Sequence, residues 1–336
     1  LRECFSSPLL NIGCDETADV GVGRSKQAIA ERGKAAVYAG FVSAVARVAE
    51  SHGFEPMFWA DIALGSPGTL DKLPSSLRPL AWGYEPDSPF DEWNAALREA
   101  GRVGWVCPGT TCWRTFGGRT TERRATLDAA CAERSSFDGV LVTEWGDVGH
   151  HQQWPITLHA LADAAHAAWH GNSNPDPAAA ARLLFGSAEL GPWLDELGDA
   201  DKELRSEAGG TDGSVLRNAS AMFNELHPAN PALGPRGSLQ QWQACGDRLA
   251  DLARSRPDAD QQIDDELRWT LEMSRLACAF AIARRSDRSP DDLPEQLDLA
   301  AAEFRRLWLA RSRPGGLERS IAHFDRLTSE LREAKR

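Results

Sequence analysis

Leu9-Leu10-Asn11-Ile12-Gly13-Cys14 is a short apolar run that ends on two consecutive carboxylates, Asp15 and Glu16. Four later runs share its form: Pro56-Met57-Phe58-Trp59-Ala60-Asp61, Leu77-Arg78-Pro79-Leu80-Ala81-Trp82-Gly83-Tyr84, Val103-Gly104-Trp105-Val106-Cys107-Pro108-Gly109, and Gly139-Val140-Leu141-Val142-Thr143-Glu144-Trp145-Gly146-Asp147. Helical patterns separate them. Ala36 to His52 carries Val37, Phe41, Val45 and Val48 at helical spacing, and Phe90 to Ala100 and Thr121 to Arg134 also read as helices. Strand followed by helix, repeated, predicts a parallel sheet with covering helices, either a β/α barrel or a doubly wound sheet. In a barrel, functional side chains cluster at the carboxyl ends of the strands, where Asp15, Glu16, Trp59, Asp61, Trp82, Tyr84, Trp145 and Asp147 fall.

Two adjacent carboxylates repel each other, so at least one is expected to have a raised pKa, and burial beside the strand would sharpen the shift. That is what a general acid near neutral pH needs. Acids and aromatics at several strand ends predict a sugar pocket, because an aromatic face packs on a pyranose while carboxylates accept its hydroxyl protons. Each residue also has a structural reading. Trp59 and Trp82 fit a barrel core, Trp113 a sugar platform or a helix cap, and Asp61 a sugar contact or the start of a loop. Alternation along a strand, unless the strand bulges, sets Glu144 on the face opposite Trp145, as a structural group or one that supports the sugar-contacting residues from behind.

The segments Asn11-Ile12-Gly13-Cys14-Asp15-Glu16-Thr17, Phe58-Trp59-Ala60-Asp61, Cys107-Pro108-Gly109-Thr110 leading to Trp113 and Gly117-Gly118-Arg119, and Thr143-Glu144-Trp145-Gly146-Asp147 followed by Gly149-His150 occur in that order. With Leu307-Trp308-Leu309-Ala310-Arg311 and Arg313-Pro314-Gly315-Gly316-Leu317, they make the chain resemble the family 20 glycoside hydrolases, the β-N-acetylhexosaminidases. The likeness is to a bacterial branch with a helical C-terminal region. It implies a (β/α)8 TIM-type barrel and substrate-assisted retaining catalysis, in which the substrate's own 2-acetamido oxygen attacks the anomeric carbon. By the same resemblance Glu16 protonates the leaving oxygen and then deprotonates water, and Asp15 orients the acetamido N–H and stabilises the cationic intermediate. Tyr84 would bond the acetamido oxygen, Trp59, Trp82 and Trp145 would wall the methyl group and ring, and Asp147 would accept distal hydroxyls. The implied partners are glycans ending in β-linked N-acetylglucosamine or N-acetylgalactosamine. A second reading, from another class, is a non-catalytic sugar-binding or vestigial fragment of such an enzyme.

A barrel needs eight strands and about 250 residues, whereas the strand runs here number five and the chain opens at Leu1, before a strand resembling the family's fourth. The expectation is therefore an N-terminally truncated barrel of about five βα units over 1–172, with open edges that favour self-association unless another chain completes it. The turn-rich stretch Gly171-Asn172-Ser173-Asn174-Pro175-Asp176-Pro177 separates it from an α-helical domain, 173–336, with helices near Ala178–Leu184, Trp193–Glu207, Ser214–Leu226, Leu239–Arg254, Gln261–Arg284, Pro294–Leu309 and Leu317–Glu333. Arg205, Arg217 and Arg268 read as solvated helix faces, and Gly209–Gly213 and His227–Gly237 as loops.

A formal net charge of -12 over 336 residues argues against a nucleic-acid partner. No stretch approaches the ~20 apolar residues of a membrane span. Seven scattered cysteines, an odd number, and the lack of a signal-peptide pattern predict reduced thiols and a cytoplasmic location. His159, His166 and His170 lie near one helical face, but no acid or cysteine is read at ligand spacing, so no metal and no cofactor are expected. His150 and His151 follow the last strand, where they either line the cleft or, the better reading, stand on a loop.

Overall fold

In the computed structural model, which describes residues 1–66, 68–133, 136–210, 212–227, 236–286 and 292–334, the apolar runs become five short parallel strands. These are β1 (Leu9–Asn11), β2 (Glu55–Trp59), β3 (Arg78–Gly83), β4 (Trp105–Pro108) and β5 (Gly139–Val140). Order in the sheet follows order in the chain, with Asn11 opposite Met57, Trp59 opposite Leu80, Trp82 opposite Cys107 and Val106 opposite Val140. The class is α/β and the sheet is a half-barrel. Each strand is shorter than the run that predicted it. β5 has two regular residues, yet Leu141 N donates to Val106 O at 3.0 Å and Thr143 N to Pro108 O at 3.0 Å, carrying the pairing to Thr143.

The chain forms two compact units, Leu1–Gly109 with Thr126–Thr143, and Thr110–Ala125 with Glu144–Arg336. In the first, α1 (Lys26–Arg32), α2 (Lys34–Ser51), α3 (Asp61–Leu64), α4 (Phe90–Glu99) and the later part of α5 (Thr120–Ala132) accompany the sheet. Its core joins Tyr38, Val42, Phe58, Ala81, Phe90 and Val106. The buried stripe of α2 differs from the expected one: Tyr38, Ala39, Val42, Ala46 and Ala49 face inward, while Phe41 and Val48 are exposed. Three alanines on the buried side let the helix axis approach the core closely, which the larger Val37-Phe41 row would prevent. Arg102 ties the surrounding loops together by donating to Leu70 O, Leu73 O, Pro74 O and Leu77 O. The expected helix end at Arg134 lies outside the described residues.

The second unit holds the start of α5, then α6 (Trp154–His170), α7 (Pro177–Phe185), α8 (Leu190–Gly198), α9 (Lys202–Arg205), α10 (Ala221–Leu226), α11 (Leu239–Arg254), α12 (Gln261–Arg285), α13 (Leu293–Arg311) and α14 (Leu317–Ala334). Side-chain caps mark the starts of several: Asp176 accepts from Ala178 N and Ala179 N, Ser238 and Gln241 form a capping box, and Asp260 accepts from Ile263 N. The unit boundary at 143/144 precedes the break placed at 172, because Ile156 and Ala160 of α6 join the core that contains Trp193, Trp242, Trp269 and Phe304.

Two predicted helices are shorter than expected. The stretch Trp193–Glu207 breaks after Gly198, where a Cβ would stand 2.2 Å from Thr120 Oγ1. The stretch from Ser214 is helical only from Ala221, since Ser220 caps it by accepting from Phe223 N at 3.0 Å. Arg205 is fully buried, not solvated: it bonds Glu122, Asp199 and Asp201, and Asp201 Oδ2 in turn accepts from Ala221 N and Met222 N. Arg268 is exposed and pairs with Asp264. Of the expected loops, Thr211 and residues 228–235 lie outside the described residues. Among the described residues no helix is long and apolar enough to cross a membrane.

His151, His227 and His323 are buried together, with the His227 and His323 rings stacked at 3.2 Å and His151 5.9 Å from each. His151 Nε2 and His323 Nε2 bond Ser320 O and Leu226 O, while neither His227 nitrogen has a partner among the described residues. Burial pushes all three rings below the ordinary histidine pKa, His151 to about 4 and His323 to about 3; the neighbouring rings and the Arg114 and Arg326 charges lower His227 further. The folded rings stay neutral while the unfolded chain takes up protons below about pH 6.5, so their contribution to stability is present above that pH and is lost as the pH falls toward 4. We expect the thermal midpoint of this unit to drop by several degrees between pH 7 and 4.5. His227→Leu should shrink the drop, and an unchanged drop in the variant would rule out His227 as a contributor.

Candidate functional site

Parallel pairing brings the segments that follow β1, β2 and β3 to the carboxyl end of the first unit's sheet. The segment after β1 turns sharply: Gly13, Cys14 and Glu16 all have positive φ, 74°, 78° and 46°. For Cys14 and Glu16 this conformation carries a cost on the order of 1–3 kcal/mol each, so neighbouring groups must hold it in place. Gly13 N donates to Asn11 Oδ1 at 2.9 Å, Gly13 O accepts from Trp59 N at 3.0 Å, and Tyr38 Oη donates to Cys14 O at 2.9 Å. Asp61 Oδ2 accepts from Glu16 N at 2.9 Å.

Asp61 is thus the anchor of the Asp15-Glu16 loop, and it stands on the first residue of α3 rather than on a loop. Burial raises its pKa; the Glu16 amide, the Trp82 indole and the Ile62 amide oppose that rise, and the Asp15 charge adds to it. Trp82 Nε1 and Asp61 Oδ1 are both buried without a well-formed hydrogen bond, although the indole is near enough to favour the charged carboxylate. Trp82 stacks on Tyr84 with ring centroids 5.1 Å apart and planes at 24°. Burial, with the Cys14, Asp61 and Asp15 charges, pushes the Tyr38 hydroxyl well above its ordinary range.

The structure therefore gathers Asp15, Glu16, Asp61, Trp82 and Tyr84, with Trp59 buried at the end of β2. Asp15 and Glu16 are both exposed, so the desolvation expected for the pair falls on Asp61 instead. Tyr38 is the residue that the helical pattern missed. The chain has only two tyrosines, and both lie in this cluster; Tyr38 also sits one residue off the stripe assigned to α2, in the row Tyr38-Val42-Ala46.

Trp113, Trp145 and Asp147 belong to the second unit. Trp113 is 1% exposed, Trp145 is half-buried and Asp147 is exposed. Glu144 lies beyond β5 and is a structural hub. Its carboxylate accepts from Thr110 Oγ1, from Gln152 Nε2 at 2.7 Å and from Thr157 Oγ1 at 3.2 Å, with His150 Nε2 4.0 Å away. Burial lifts its pKa to about 7 against these hydrogen bonds and the Arg123 charge.

An acid does join His159, contrary to the sequence reading. Asp163, one helical turn on, and Asp195 bring carboxylate oxygens within 4.8 Å of a His159 ring nitrogen and of each other. Arg123 and Arg124 occupy this cluster: Arg123 bonds Asp163 at 2.6 Å with both side chains 1% exposed, and Arg124 bonds Asp163 and Asp195. Burial pushes Asp195 up, and His159 and Arg124 more than offset it, holding the carboxyl below its ordinary range. Two guanidinium groups on two carboxylates make an ion-pair network, where a further cation would meet repulsion. His166 and His170 stack on each other at 4.2 Å.

Searches against models of known protein families and against curated proteins return no match to this chain.

Two tests follow from this geometry. Asp61→Ala should speed exchange of the Glu16 amide about tenfold or more, as expected for loss of a hydrogen bond to a charged acceptor, whereas Asp61→Asn keeps an accepting oxygen and should do so less; equal effects would remove Asp61 as anchor. Glu144, with its raised pKa, contributes stability at low pH that is lost as the pH rises through about 7. Glu144→Gln should therefore gain thermal midpoint relative to the parent between pH 5 and 8, and a difference independent of pH would contradict the assignment.

Proposed function

We propose that this chain carries the chemistry of a glycoside hydrolase that removes terminal β-linked N-acetylglucosamine or N-acetylgalactosamine by substrate-assisted catalysis. The observation that carries the proposal is the Asp15-Glu16 pair, with Glu16 on left-handed backbone and anchored by Asp61 beside the Trp82–Tyr84 stack. In this reading the five βα units belong to a (β/α)8 TIM-type barrel over 1–172, followed by a helical domain over 173–336. The resemblance of the motifs to the family 20 enzymes supports that architecture.

Glu16 would donate its proton to the leaving oxygen and later accept one from water, a role that suits a carboxyl on the solvent side of the site. Asp15, its neighbour, would stay charged, accept the acetamido N–H and stabilise positive charge as it develops. Tyr84 offers a hydroxyl to the acetamido oxygen and Trp82 an apolar face. Asp61 spends Oδ2 on the Glu16 amide while its Oδ1 is buried, so its part is to position the loop. The exposure of both catalytic carboxylates favours one second reading, a sugar-binding unit without turnover.

Kinetics separate the two. Under the catalytic reading, Glu16→Gln slows cleavage of unactivated glycosides far more than of aryl glycosides with good leaving groups, which depart with less protonation. Asp15→Asn lowers kcat, β-glucosides with a plain 2-hydroxyl are inert, and a thiazoline mimic of the intermediate inhibits strongly. Equal turnover of glucoside and N-acetylglucosaminide would end the substrate-assisted mechanism. Saturable N-acetylglucosamine binding with no hydrolysis would establish the second reading.

A further inference from the structure

The second unit contains a cleft of about 600 Å³, within the size range of small-molecule sites, that the proposed reaction leaves unused. One wall is a face of α14, where Arg319, His323 and Arg326 recur at helical spacing, and Ser320 and Ala322, with Gly316 just before the helix, keep the floor low. Opposite stand Gly146, Val148, Gly149 and His150, and Trp308 of α13 closes one end. Val148 in this loop has φ 62°, a strained conformation for a β-branched residue, and is 51% exposed.

Charge distinguishes the cleft from the rest of the molecule. The chain carries 49 acidic against 37 basic residues, yet no acidic side chain is among those that line this cleft. Arg319 and Arg326 are exposed, and neither is ion-paired among the described residues. Arg326 Nη2 donates to His323 Nδ1 at 3.2 Å, and His323 Nε2 is directed to Leu226 O at 3.3 Å. That chain fixes the ring as a neutral acceptor toward Arg326 and steadies the guanidinium from behind. Trp308 Nε1 donates to Arg313 O at 2.8 Å, which sets the indole plane, and Trp308 and His150 also line an adjoining hollow of about 160 Å³.

We propose that this cleft binds a ring-bearing oxyanion, a sugar carrying a phosphate or a carboxylate. The anionic group would take the Arg319 and Arg326 forks, which match such oxygens in pairs, and the ring would lie against Trp308. The site stands independently of the proposed hydrolysis.

The test is calorimetric titration of the full chain with glucose 6-phosphate, glucuronate, inorganic phosphate and glucose at low salt. Saturable binding of glucose 6-phosphate or of glucuronate, whichever is tighter naming the group recognised, with no binding of glucose, is the expected result. Arg319→Ala and Arg326→Ala should each weaken that binding about tenfold or more, and added salt should weaken it in the parent. Both arginines are exposed, so the variants should fold; a parent-like thermal midpoint checks this. Absence of binding by both sugar anions, or binding unchanged in the double variant, would overturn the site. Inorganic phosphate binding as tightly as glucose 6-phosphate would overturn the role of the ring.

Discussion

The hydrogen bond from Glu16 N to Asp61 Oδ2 decides where the two adjacent carboxylates stand. It joins residues 45 apart in sequence and exists because β1 and β2 pair in parallel with Asn11 opposite Met57, which brings the loop after one strand beside the end of the next. The strained backbone at Cys14 and Glu16 is held from three directions, by the β2 backbone at Trp59, by the α2 hydroxyl of Tyr38 and by the α3 carboxylate of Asp61. Each restraint comes from a different element. The arrangement is therefore a property of the folded unit and not of the Asp-Glu sequence alone.

Charge burial organises the second unit. Arg205 and Arg123 are buried cations that would be costly alone, and each is met by two or more carboxylate partners. Asp201 serves twice, neutralising Arg205 with one oxygen and capping the start of α10 with the other. The same unit holds two titrating elements of opposite sense. Glu144 disfavours high pH because its buried carboxyl must ionise, and the histidine cluster disfavours low pH because its buried rings must charge. Between about pH 4.5 and 6.5 the two oppose each other, so the net slope of stability there is a difference of terms rather than either one.

What was legible in the sequence is what local pattern controls. Five strand runs and the long helices α11, α12 and α14 could be read because periodicity defines them. The misreadings arise where tertiary contacts decide. The α2 stripe was assigned to the larger side chains, while small ones face the core. The helix read from Trp193 to Glu207 stops at Gly198, a glycine required by the close approach of Thr120, and resumes as α9 at Lys202. Arg205 looked like a surface residue because its three partners lie at sequence distances from 4 to 83 residues. Of the site, the positions of Asp15, Glu16, Asp61, Trp82 and Tyr84 could be anticipated from strand ends. The role of Asp61 as anchor, and the participation of Tyr38, depended on a register that no local pattern states.

The exposure of Asp15 and Glu16 bears directly on how the proposed reaction would run. Carboxylates in water repel weakly, since a high dielectric screens them, so proximity alone gives the pair little electrostatic leverage. Leverage would come from a sugar seated on the Trp82–Tyr84 stack, which would exclude water from the two acids and strengthen both the repulsion between them and the attraction of Asp15 for positive charge on the acetamido group. The cost of desolvation would then be met at binding, by substrate, instead of being stored in the folded protein. Asp61, already desolvated, is committed to holding the Glu16 amide. A half-buried carboxylate that fixes geometry and two exposed ones left open to substrate form a division of roles.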